Sequence, residues 1–287
     1  MRPAVQAFFD PATATVTYLV FDPATKAAAI VDPVLDYEPK GARISTGSAE
    51  AVLSAARHQE LDIRYVLETH AHADHLSAAD YIRRETGAQV AIGSHITEVQ
   101  KIFIPRFEAY DVKPDGAVFD RLVNEGDRLE LGKLEIGVLH TPGHTPACVT
   151  YAIGDAAFVG DTLFMPDYGT ARADFPGGDA TSLYRSIRKI LSLPPSTRIF
   201  VGHDYLPEAG RTENRWETTV AEEAASNIYI HQGVSEAEFV ARREARDATL
   251  APPALILPSL QVNIRGGALP PPTADGHVFL RLPLTLG

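Results

Sequence analysis

The sequence predicts an α/β (α+β) chain in which two β-sheets face each other and helices cover both outer faces. Three observations carry this. Short apolar, β-prone runs recur in both halves of the 287 residues. Stretches with helical spacing alternate with them in each half, rather than gathering at one end. Residues with metal-binding side chains follow four of the apolar runs directly: His70, His72, Asp74 and His75 after the first, then His144, Asp161 and His203. Seven such residues at strand ends converge only where the strands share one sheet edge.

The elements follow in order. Residues 16–21 and 27–31 read as strands around a turn at residues 22–25, and Asp32 with Pro33 ends the second. Residues 36–47 are polar, with proline and glycine, and read as a loop. A helix starts at Ser48 and runs to Gln59. Residues 64–69 form the strand that feeds the histidine cluster. Asp74 is expected to cap a helix reaching Thr86, with Leu76, Ala79, Tyr81 and Ile82 as its apolar positions and Gly87 as its stop. Residues 89–92 are a short strand. Residues 102–116 lack a clean period, contain Pro105 and Pro114, and read as a surface loop near the site.

Two hairpins follow, 128–131 with 134–139 and 148–153 with 156–159, each turning at a glycine. Residues 166–178 are a loop rich in Gly, Asp and Arg. Asp179 caps a helix to Leu191, with Leu183, Ile187, Ile190 and Leu191 apolar. Residues 199–201 are the strand before His203, and 218–229 and 235–247 are further helices. The last forty residues are proline-rich, yet Leu255, Ile256, Leu257, Leu260, Val262 and Ile264 are too apolar for a solvated linker. The expectation is one domain over residues 1–287, with 215–287 as a helical and proline-rich extension packed on the core.

Composition excludes several function classes. Hydrophobic residues are 45% and charged residues 22%, as in a soluble protein with a full core. The net charge is −11 with no Lys/Arg-rich run, so no nucleic-acid groove is expected, since phosphate binding needs clustered positive charge. Cys148 is the only cysteine, which excludes an intrachain disulfide and a cysteine-based zinc cluster. The first ten residues lack the apolar core of a secretory signal, and no apolar run reaches the roughly 18 residues that span a bilayer. A cytoplasmic protein without membrane contact is expected.

Imidazole and carboxylate ligands suit zinc, iron or manganese. His-x-His-x-Asp-His at 70–75 cannot place all its members on one ion, so two subsites are expected. The first takes His70, His72 and His144, the second takes Asp74, His75 and His203, and Asp161 bridges them. Gly143, Gly160 and Gly202 stand beside ligands, where close backbone approach is useful. His58, His95, His140, His231 and His277 lack such neighbours and read as surface or core residues.

Over residues 14–210 these motifs resemble the metallo-β-lactamase superfamily, which implies an αββα sandwich of two mixed sheets flanked by helices, with the metal site along one edge. Within it the chain is similar to two branches: glyoxalase II, a dinuclear thioester hydrolase, and the persulfide (sulfur) dioxygenases, which use one non-haem iron. TPGHTPACVT at 141–150, GTARADFPGG at 169–178 and LPSLQVNIRGG at 257–267 resemble the dioxygenase branch, while GHDY at 202–205 fits both. The long basic C-terminal segment expected of glyoxalase II is missing.

That resemblance implies one Fe(II) per chain on His70, His144 and Asp161, a triad that leaves positions for thiolate and O₂. His72, Asp74, His75 and His203 would then orient ligands and bound water. The implied reaction oxidises glutathione persulfide with O₂ to sulfite and glutathione. Arg172, Tyr205 and Arg265 are the candidates for binding the tripeptide's carboxylates. Cys148, in an apolar run, reads as a buried small residue rather than a persulfide carrier. A homodimer is implied, and any sulfur-transfer partner would be a separate rhodanese-type sulfurtransferase. The full set of seven ligands also matches a two-zinc hydrolase of a glutathione thioester or a lactone. A third alternative is a non-catalytic metal- or persulfide-binding protein.

Overall fold

The computed structural model describes residues 2–207 and 210–284. The chain opens with β1 (Ala4–Asp10), β2 (Thr15–Phe21) and β3 (Ala27–Val31), then a small hairpin of β4 (Val34–Glu38) and β5 (Arg43–Ser45). Helix α1 (Gly47–His58) and strand β6 (Asp62–Leu67) lead into the histidine-rich loop. After it come β7 (Leu76–Ser77), α2 (Ala79–Thr86), β8 (Gln89–Gly93), α3 (Ile96–Phe107) and β9 (Arg121–Val123). The second half runs β10 (Arg128–Leu131), β11 (Leu134–His140), β12 (Val149–Ile153), β13 (Ala156–Phe158), α4 (Ala180–Leu191), β14 (Arg198–Phe200) and β15 (Glu217–Thr219). Helices α5 (Val220–Ser226), α6 (Glu236–Asp247) and α7 (Ile256–Asn263) close it.

Two six-stranded mixed sheets result, ordered β1-β2-β3-β6-β8-β9 and β10-β11-β12-β13-β14-β15. In the first, β3, β6, β8 and β9 are parallel, and the crossovers through α1 and α2 put helices on its outer face. Alternation decides what each strand faces. Val16, Tyr18 and Val20 of β2 enter the core between the sheets, while Leu19 enters the core under the helices. Phe158 and Phe200 face between the sheets, and Ala157 and Ile199 face α4. Three apolar layers therefore stack as helix, sheet, sheet, helix.

Two buried tyrosines cross the layer between the sheets and pin strand ends. The Tyr18 hydroxyl donates to the Val201 carbonyl at 2.6 Å, just before His203. The Tyr151 hydroxyl donates to the Glu68 carbonyl at 3.1 Å, just before His70. A buried tyrosine needs such an acceptor, and here each acceptor lies at the edge where the ligand loops begin.

Several expectations are corrected. Residues 36–47 are not a loop, because β4 and β5 pair from Asp36↔Ser45 to Glu38↔Arg43 around a tight turn. Asp74 caps no helix: β7 intervenes, α2 starts at Ala79, and the Asp74 carboxylate turns toward His75 and His203. Residues 102–107 belong to α3, whose Ile96, Val99, Phe103, Ile104 and Phe107 form one buried stripe. Pro105 sits in its last turn, where the missing N–H costs only one bond. Thr218 to Tyr229 divides into β15 and the short α5, capped by the Thr219 side chain. Within the extension, α7 puts Leu260, Val262 and Ile264 into the core with α3. No helix among the described residues is long and apolar enough to cross a membrane.

Candidate metal centre

Four strand ends build the site. The loop after β6 brings His70, His72, Asp74 and His75. The β11–β12 connection brings His144, the end of β13 brings Asp161, and the end of β14 brings His203. The backbones here touch closely. Gly160 has φ +51°, and a Cβ on it would lie 2.3 Å from Thr69 Oγ1. A Cβ on Gly202 would lie 2.8 Å from Asp161 Oδ1.

All seven residues converge, in two groups joined by Asp161. His70, His144 and Asp161 have ligand atoms within 4.8 Å of one another, and so do His72, Asp74, His75 and His203. Asp161 Oδ2 is 3.8 Å from His70 Nε2 and 3.7 Å from His144 Nε2. Its Oδ1 is 3.3 Å from His203 Nε2, which is 3.2 Å from Asp74 Oδ2. The partition expected for His72 changes: its ligand atom groups with Asp74, His75 and His203, and its ring centre lies 4.1 Å from His70 and 4.2 Å from His75.

The buried polar atoms fit a cation. His70 Nε2, His72 Nδ1, His75 Nε2, His203 Nε2 and Asp161 Oδ1 are buried and have no hydrogen-bond partner among the described residues. Unpaired buried polar atoms are costly, and five within these two converging groups are what a metal would satisfy. The opposite nitrogens of three rings are already engaged. His70 Nδ1 donates at 3.0 Å to Thr69 Oγ1, whose own proton goes to Asp32 Oδ2 at 2.8 Å. His72 Nε2 lies 3.0 Å from Asp32 Oδ1 and 3.2 Å from Glu68 Oε2. His144 Nδ1 donates to the Arg172 carbonyl at 2.8 Å. Each ring thus turns its free nitrogen to the site.

Electrostatics separates the groups. Burial, then the neighbouring His72 and His144, hold His70 well below the usual imidazole range, so it stays a neutral ligand. Burial depresses His72 too, but Asp32 and Glu68 outweigh it and hold that ring well above the usual range. Burial raises Asp74, yet His203 and His75 bring its carboxyl well below the usual carboxylate range. Burial pushes the Cys148 thiol up to about 12, and its sulfur rests against Thr145, in keeping with an inert small residue.

A cavity of about 960 Å³ opens on this centre, with Asp74, His144 and Asp161 in its wall. Of the three expected substrate groups, Tyr205 lines it, packed flat against the His203 ring at 5.6 Å between centres. Arg172 also lines it, but its guanidinium is held by Asp174 at 2.5 and 2.7 Å and by the Ala251 carbonyl. Arg265 lies outside the lining; it forms a two-bond pair with Asp111 and donates to the Gln261 carbonyl, anchoring the end of α7. Arg243, also in the wall, is committed to Asp247. Arg246 lines the cavity with no side-chain partner among the described residues, and was missed because nothing in its helical run distinguishes it.

Asp32 and Asn263 were missed as well. Asp32 stands directly after a strand, as Asp161 does, and that signal was available. Asn263 Nδ2 donates to the carbonyls of His72 and His75, both at 2.8 Å, and its Oδ1 accepts from Ser77 N. Its motif was visible in the sequence but its target was not.

Residues 10–203 match the metallo-β-lactamase superfamily, and the chain belongs to it. A probable metallo-hydrolase of Burkholderia pseudomallei is 52% identical over 98% of both chains. A β-lactamase hydrolase-like protein of Agrobacterium fabrum is also 52% identical, over 98% of this chain, which spans 65% of that protein's length. Human mitochondrial persulfide dioxygenase ETHE1 is 31% identical over 69% of this chain and 66% of that one. The crystal structure of ETHE1 from Myxococcus xanthus matches with TM-score 0.74 and 30% identity, over 92% of this chain and 100% of that one. The superfamily is enzymatic, and the relatives compared include a metallo-hydrolase and a dioxygenase.

Proposed function

We propose that the protein is a persulfide dioxygenase that uses one Fe(II) on His70, His144 and Asp161 to oxidise glutathione persulfide with O₂ to sulfite and glutathione. The observation that carries this is the compact group of His70, His144 and Asp161, of which His144 and Asp161 line the cavity. Such a triad leaves sites for a thiolate and for O₂. The likeness to two proteins named ETHE1 supports the same reading. Bound iron supplies the redox chemistry that joins the outer sulfur to dioxygen. Water completes the balance: persulfide anion, O₂ and H₂O become glutathione, sulfite and one proton.

The chain's own residues bind and orient. Thr69 and the Arg172 carbonyl hold the His70 and His144 rings with Nε2 toward Asp161. Asp161 Oδ2 reaches toward both. The aromatic faces of Phe164, Tyr168 and Tyr205 form one apolar wall that keeps water from the reacting sulfur. Arg246 is the cation available for a carboxylate of the tripeptide.

A two-metal thioester hydrolase is the second reading, because Asp161 Oδ1 also reaches His203 and the second ligand group is complete. The name of the Burkholderia relative points the same way. Oxygen uptake with glutathione persulfide, measured with elemental analysis of the same sample, tests both. Rapid uptake with about one iron per chain is the expected result. No uptake with about two zinc per chain replaces the dioxygenase with the hydrolase.

A further inference from the structure

Thr15, the first residue of β2, is fully buried behind the centre. Its Oγ1 lies 3.3 Å from His75 Nδ1 and 3.3 Å from His203 Nδ1. It also lies 2.8 Å from Thr13 Oγ1, which lies 2.6 Å from Asp10 Oδ2. The Asp10 carboxylate accepts from Ala12 N and Thr13 N as well, so it is the receiving end of the chain. The backbone holds Thr15 in register: it bridges His203, and Val16 N donates to the Gly202 carbonyl at 2.9 Å.

Counting protons fixes every direction in this chain. A carboxylate only accepts, so Thr13 spends its single hydroxyl proton on Asp10. Thr13 then has only lone pairs to offer Thr15, and Thr15 spends its proton on Thr13. What remains on Thr15 is two lone pairs facing two imidazole nitrogens, of which His75 Nδ1 also lies 3.3 Å from Asp74 Oδ2, a second acceptor for the same proton. We infer that Asp10, Thr13 and Thr15 form a one-way relay that places a proton on Nδ1 of both His75 and His203, turning both Nε2 lone pairs into the metal centre. The free atoms agree: His75 Nε2 and His203 Nε2, like His70 Nε2 and His72 Nδ1, are buried nitrogens without a hydrogen-bond partner among the described residues. Thr15 is thus a positioning residue for the second ligand group. The hydroxyl sets His203 by itself and His75 together with Asp74, and the acid that sets the hydroxyl, Asp10, ends β1. The inference rests on metal binding by the second ligand group, which the two-metal reading requires and the one-iron reading does not.

The test uses zinc-loaded protein labelled with ¹⁵N-histidine, whose long-range ¹H–¹⁵N spectra show which ring nitrogen carries the proton. Wild type is expected to show Nδ1–H on His75 and His203, and spectra with either ring protonated on Nε2 alone overturn the relay. This needs no variant. Thr15→Val removes the acceptor while keeping the shape, and should weaken binding of the second zinc, the one on the His75–His203 group, about 10- to 100-fold in a chelator competition. Thr15→Ser keeps the hydroxyl and should restore both affinity and spectrum, which a purely structural role for Thr15 would not predict. Wild-type affinity and spectra in Thr15→Val overturn the inference. Failure of wild type to bind zinc at all removes the metal-centre reading itself, a distinguishable result.

Discussion

Asp161 is the residue on which both halves of the centre depend, because each carboxylate oxygen serves a different group. Asp161→Ala should therefore reduce bound metal at least about ten-fold, read by elemental analysis, together with activity. His203→Ala should keep most of its iron if one metal on the triad suffices; loss of metal in that variant supports the two-metal reading. Under the proposed function Arg246 acts on substrate alone. Arg246→Ala should raise KM for glutathione persulfide roughly ten-fold with kcat little changed, as expected for one charge-assisted hydrogen bond. An unchanged KM removes Arg246 from substrate binding. Residue type and position pointed to the seven residues that converge, since imidazoles and acids at strand ends are conspicuous. They did not separate Arg172, Arg246 and Arg265, because a guanidinium is free or paired only according to what folds beside it.

Helix α7 shows how an element far along the chain becomes part of the centre. Asn263 at its last turn clamps the ligand loop through three hydrogen bonds. Asn263→Ala leaves two buried carbonyls and one N–H without that partner. It should cost about 2–4 kcal/mol in denaturant unfolding and weaken metal binding. Wild-type values in both measurements would reduce Asn263 to a bystander. Helix α5 carries a different burden: burial pushes the Glu223 carboxyl up to about 8, from an ordinary 4.5. The fold accommodates the neutral acid, so the unfolded chain releases this proton first as pH rises. Its contribution is complete below about pH 4.5 and is lost as pH climbs through about 8. Glu223→Gln should flatten that decline, so the Tm gap over wild type should widen from pH 5 to pH 8; parallel curves would contradict the assignment. Helix α3 was hidden for a plainer reason. A window starting at Ile102 sees half its stripe and a proline, whereas its start at Ile96 makes the period evident.

At the scale of the molecule, the centre leaves five buried polar atoms without hydrogen-bond partners among the described residues. Metal bound at about 100 times its Kd adds about 2.7 kcal/mol to stability. Chelation should therefore lower Tm by on the order of 5 °C or more. A Tm indifferent to chelator would mean that the fold tolerates those atoms unpaired. The β2, β3 and β6 strands, both later hairpins and helix α4 were legible because period and capping are local properties of consecutive residues. So was the set of seven residues that converge, because their chemistry is written in residue type. The partition of His72, the Asp10–Thr13–Thr15 chain and the Asn263 clamp were not legible. Thr15 meets partners 60 and 188 positions away, and Asn263 meets the ligand loop 188 and 191 positions away. Hydrogen-bond direction across such distances has no sequence period. It exists only once two sheets have packed and brought their strand ends to one edge.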